Sequence, residues 1–149
     1  MTDAWEKVVK ALAAGGGAVI GLLGGWTPLL TVLCGFVALD YLTGLAVAIK
    51  GRSTKTKNGG LSSKAGFDGI LRKALILSVV LMAALLDHAL GNSTAIFTTT
   101  TVCYYIANEG LSILENLVQL GIPVPNAIRC ALGMVEKKAK LGDKKDEEE

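Results

Sequence analysis

The stretch YYIANEGLSILENLVQLG, residues 104–121, spreads Asn108, Glu109, Glu115 and Asn116 through a run of Leu, Ile, Val and Tyr. Carboxylates and amides in such a setting need water, a proton or a hydrogen-bonding partner, because an acidic side chain at the centre of a bilayer costs about 3 kcal/mol on insertion scales. On a helix of about 3.6 residues per turn, Thr98, Thr101, Tyr105, Asn108, Ser112, Glu115 and Gln119 succeed one another at steps of three and four, with Glu109 and Asn116 alongside. They form one polar stripe, and Leu111, Leu114, Leu117 and Val118 fill the opposite side. Such a helix has two homes: within the bilayer, where the stripe makes hydrogen bonds buried between helices or lines a water-filled opening, or flat at the membrane interface. Asp40 poses the same question inside PLLTVLCGFVALDYLTGLAVAI, as a functional ionisable group or as a packing group bonded near Thr43.

The elements that must position these residues are helices in lipid. The hydrophobic content is 51% and the mean hydropathy +0.48, too apolar for a water-soluble domain of 149 residues. The pattern predicts an all-α integral membrane protein with about four transmembrane helices, over about 5–25, 28–49, 70–90 and 95–120. A short interfacial helix follows at 126–140, where Ile128, Ala131, Leu132 and Val135 can rest on the membrane surface. The membrane domain covers 1–135, and 136–149 reads as a charged, disordered cytoplasmic tail. Asp3 is a candidate N-cap with Glu6 as its partner, and Thr27-Pro28 is a second helix start. The acidic residues near the N-terminus and the lack of a small-x-small cleavage site argue against a secretory signal there.

All 15 Lys and Arg residues fall before Ala11, between Lys50 and Lys73, or after Pro125. The links around Trp26 and Asn92 carry none. With four crossings the three basic regions share one side, which the positive-inside rule makes the cytoplasm, with both termini inside. Lys50, Arg52, Lys55, Lys57, Lys64, Arg72 and Lys73 thus read as a basic loop that fixes topology and attracts anionic lipid. The loop lacks the interleaved aromatics of a nucleic-acid site. Asp87 and His88 read as a solvated helix end at the outer interface. Gly17, Gly21 and Gly25 recur every four residues, the spacing that lets transmembrane backbones approach, and suggest contact between copies. Cys34, Cys103 and Cys130 lack metal-ligand spacing, so no metal or other cofactor is expected. No catalytic constellation is present, and an enzyme is not expected.

DYLTG (40–44), LSSKAGFDGILRK (61–73), LLD (85–87), YIANEGLSILEN (105–116) and GIPVP (121–125) together resemble the toxin-secretion and phage-lysis holin family, over roughly residues 29–133. The resemblance implies a small protein of the bacterial inner membrane that accumulates harmlessly. At a critical density it assembles with copies of itself into lesions that release a cell-wall hydrolase, or in some members a toxin. The implied partners are other copies, membrane lipids, a regulatory antiholin, and an endolysin that it serves without direct contact. An antiholin, or a scaffold subunit that forms no hole, would share these sequence features.

Overall fold

The computed structural model describes the backbone of residues 2–145 and the side chains of residues 4–137. These residues form α1 (Thr2–Leu22), α2 (Pro28–Ile49), α3 (Ser63–Ala89), α4 (Ile96–Gln119) and α5 (Asn126–Lys145). The fold is all-α, and α2 and α3 are long and apolar enough to cross a membrane. Helix α4 is central: it packs against α2, α3 and α5, whereas α1 leans on α3 alone among the helices. The apolar core is Leu30, Leu33, Val80, Val102 and Ile106. Many large apolar side chains point outward, among them Leu39, Leu42, Leu75, Leu77 and Met82, as lipid-facing helices require.

Local chemistry sets the helix ends. The Thr27 hydroxyl accepts a hydrogen bond from the Leu30 N–H at 3.2 Å, Pro28 occupies the first turn, and the Trp26 indole N–H donates to Thr31 at 2.7 Å. Helix α1 is already helical at Thr2, upstream of the expected Asp3 cap, and ends at Leu22 rather than near residue 25. Gly24 and Gly25 stop it, with φ of 77° and 100°, so Gly25 lies in the turn and only Gly17 and Gly21 of the expected stripe are on the helix.

Three expectations need correction. Helix α3 begins at Ser63, not near residue 70, because the Ser62 hydroxyl accepts from the Ala65 N–H and caps a first turn that is polar in sequence. Lys64, Arg72 and Lys73 are therefore helical. Helix α5 runs to Lys145, past the expected end at 140 and into the segment read as a disordered tail, whose residues 146–149 lie outside the described residues. Finally, α5 does not lie apart on a surface: Leu132 and Val135 are seated on the bundle, while Ile128 and Ala131 are exposed.

Candidate functional site: a buried polar cluster joining three helices

Glu109 and Asn116 are seven residues apart on α4, about two turns, and so emerge on the same face as Val102. That face meets α2 and α3, and there a first group of buried charges lies. The Lys73 ammonium of α3 donates to Asp40 of α2 at 2.5 Å and also to Glu109 of α4. Relative exposures of 12% for the Lys73 side chain, 5% for Asp40 and 2% for Glu109 mark the triad as interior. Two carboxylates face one ammonium, and Asn116 supplies further donors. Its amide reaches the Asp40 carboxylate at 3.2 Å and the Thr43 hydroxyl at 2.9 Å. No buried side-chain polar atom among the described residues lacks a partner, which removes the cost of unsatisfied groups in an apolar interior.

Glycines border this arrangement. Tyr41 faces Gly66 and Gly69 of α3, and the Asn116 amide faces Gly44, where a Cβ would make ordinary contact. A cleft of about 300 Å³ opens beside the cluster, between α2, α3, α4 and the 53–62 loop, with Asp40, Lys73, Asn108, Glu109 and Ser112 on its walls. The loop is tied down where Arg52 donates to the Gln119 carbonyl at 3.0 Å, a cation placed on the C-terminal end of α4.

The expected stripe on α4 is thus divided. Glu109 and Asn116 turn inward, Asn108 and Glu115 are exposed, and Thr98, Thr101, Tyr105, Ser112 and Gln119 are half-buried between them. Asp40 joins the cluster; Lys50, Arg52, Lys55, Lys57, Lys64 and Arg72 are exposed as a topology signal would be. Lys73 is not part of that surface. Composition alone groups it with its basic neighbours; a step of four from Gly69, on the face that meets Tyr41, turns it toward α2.

A second buried carboxylate works at the other end of the bundle. Asp87, expected to be solvated, is 5% exposed. It accepts from the Phe97 N–H at 3.1 Å, the Thr98 N–H at 2.8 Å, the Thr98 hydroxyl at 2.7 Å and the Asn92 amide at 3.0 Å. Ala95, at the cap position of α4, has φ 49° and no side chain able to cap, so α3 provides the cap for α4. His88 beside it is exposed.

The segments DYLTG, LSSKAGFDGILRK, LLD and YIANEGLSILEN supply every residue of these two clusters except the linker's Asn92 and the α4 residues Phe97 and Thr98. Comparison with known proteins agrees. The model of the bacteriophage holin family matches residues 17–137. An uncharacterized 14.9 kDa protein from the nagH 3' region of Clostridium perfringens is 45% identical over 118 residues, 78% of this chain and 83% of that one. The uncharacterized protein Lin0175 of Listeria innocua is 38% identical over 95% of this chain and 94% of its own. A probable holin of Bacillus phage phi105 is 34% identical over 74% of this chain and 76% of its own. No solved structure matches.

Proposed function

This chain belongs to the bacteriophage holin family, a family of non-enzymatic membrane proteins, and from that premise we propose that it assembles with copies of itself in the bacterial cytoplasmic membrane. The assembly opens lesions through which a cell-wall hydrolase, or in a secretion setting a toxin, leaves the cell. The observation that carries this reading is the Asp40–Lys73–Glu109–Asn116 cluster inside a bundle whose outside is apolar. Lipid tolerates a charged group on a spanning helix when a neighbouring helix pairs it. The cluster therefore lets α2, α3 and α4 insert with their polar groups hidden, and the same groups are available to water when copies rearrange. Exposed Asn108 and Glu115 are the α4 groups left for contacts between copies.

In this reading α1 to α4 each cross the membrane, with the N-terminus and the basic loop that includes Lys50, Arg52, Lys55 and Lys57 on the cytoplasmic side. Gly17 and Gly21 bring α1 against a second copy. In cells that make an antiholin, that contact displaces it; the endolysin needs only the opening.

Induction of the protein in a bacterium tests the reading directly. The expected result is arrest of growth and loss of membrane potential, followed by abrupt lysis when a cell-wall hydrolase is co-expressed. Continued growth with the protein inserted, or protection against another holin, would assign it instead to a regulatory or scaffold role.

A further inference from the structure

Helix α5 doubles back along α4. Leu132 sits so close to Gly110 that a Cβ there would meet its Cδ atoms at 2.5 and 2.9 Å, with the Phe36 ring of α2 at 3.1 Å. Val135 packs on the core that contains Val102 and Ile106. Rising numbers on α5 thus meet falling numbers on α4, which makes the pair an antiparallel hairpin closed by the Pro-containing turn at 120–125. Gly110 lies near the middle of α4, and the 20 residues of α5 extend about 30 Å, the thickness of a hydrocarbon core.

The inner seam of α5 is narrow and apolar, whereas its broader outer face is mixed, with exposed Met134 beside cationic side chains. Arg129, Gly133 and Lys137 follow one another at four-residue steps on the exposed side, with Cys130 beside them. Where α4 crosses the membrane, docking carries Arg129 to within about 5 Å of Leu132 along the helix axis, and Lys137 to within about 8 Å. Hydrocarbon is a poor solvent for that surface, whereas water is a good one.

We propose that in the assembled lesion α5 remains folded on α4 and that its outward face, with Arg129, Cys130, Gly133 and Lys137, forms part of the wall of the aqueous passage. This inference rests on the lesion reading above. The single copy already carries α5 on α4, so assembly has only to bring water to its outward face.

The test uses full-length protein in dye-loaded vesicles of anionic and zwitterionic phospholipid, with Cys34 and Cys103 replaced by Ala and a fluorophore on Cys130. After dye release, the expected Cys130 probe is at mid-bilayer depth by nitroxide-lipid quenching and is also quenched several-fold by aqueous iodide. A shallow probe places α5 on the surface and overturns the proposal, as does a deep probe that iodide does not reach. A second variant, Gly110→Cys with Leu132→Cys in a background without the native cysteines, joins the two helices by a disulfide. Release by the crosslinked protein is expected to persist; release lost on oxidation and restored by reductant would show that α5 must leave α4, against the proposal. Absence of release from the unlabelled wild-type chain would overturn the lesion reading itself, and this inference with it.

Discussion

Lys73 answers to Asp40 and Glu109 at once, and its removal leaves two carboxylates facing each other in an apolar interior. Lys73→Met is therefore expected to destabilise the bundle by about 3–5 kcal/mol, the usual cost of stripping one partner from a buried ion pair, seen as a lower melting temperature in detergent. Apolar replacement of all three, Asp40→Leu with Lys73→Met and Glu109→Leu, should recover most of that loss because the desolvation cost disappears with the charges. Lysis by the triple variant is expected to fail or be mistimed even though the protein inserts and melts normally; wild-type lysis timing would remove the cluster from the mechanism. Asp87 offers a separate check. Its carboxylate satisfies two backbone N–H groups at the start of α4, so Asp87→Ala should cost about 1–2 kcal/mol and speed hydrogen exchange in the first turn of α4, whereas His88→Ala should do neither.

At the level of whole helices, the seat of Leu132 against Gly110 decides whether α5 is attached. Gly110→Ala asks the flexible end of Leu132 to move and the Phe36 ring to give slightly, but Gly110→Leu needs space already filled by both. The larger substitution is expected to detach α5, increasing tryptic cleavage after Arg129 and Lys137 several-fold while α2 to α4 stay protected; unchanged cleavage would mean that the hairpin does not depend on this seat. The same helices show what the sequence could and could not disclose. Apolar length and the Thr27-Pro28 signal located α2 closely, and the Pro123/Pro125 pair closed α4, because those signals are local. The start of α3 was hidden because SKAGFDG has the composition of a loop, and only the Ser62 cap and the glycines beneath the Tyr41 ring reveal a helix. Inward rotation of Glu109 and Asn116 was equally hidden: a periodicity plot shows that a polar face exists, but which edge of it is buried depends on where Asp40 and Lys73 arrive from other helices.

Across the whole molecule, α1 is the element least explained by the fold of a single copy. Among the described residues it touches α3 alone of the other helices and is exposed along nearly its full length, and a Cβ at Gly17 or Gly21 would meet nothing within 4 Å. Both positions are exposed and open at Cβ, so Leu there is expected to fit the isolated chain, and in lipid it adds apolar surface that favours insertion. Its effect can arise only where another backbone must come close, since small residues at four-residue spacing allow an approach that a branched side chain prevents. Gly17→Leu with Gly21→Leu is accordingly expected to leave melting temperature and membrane insertion unchanged, to shorten the ladder of crosslinked species in membranes, and to delay or abolish lysis. Gly25→Leu, by contrast, should perturb the turn, because its φ of 100° suits glycine whatever the oligomeric state. A full crosslinking ladder from the double variant would show that copies meet elsewhere, and exposed Asn108 and Glu115 on α4 would then be the next surface to alter.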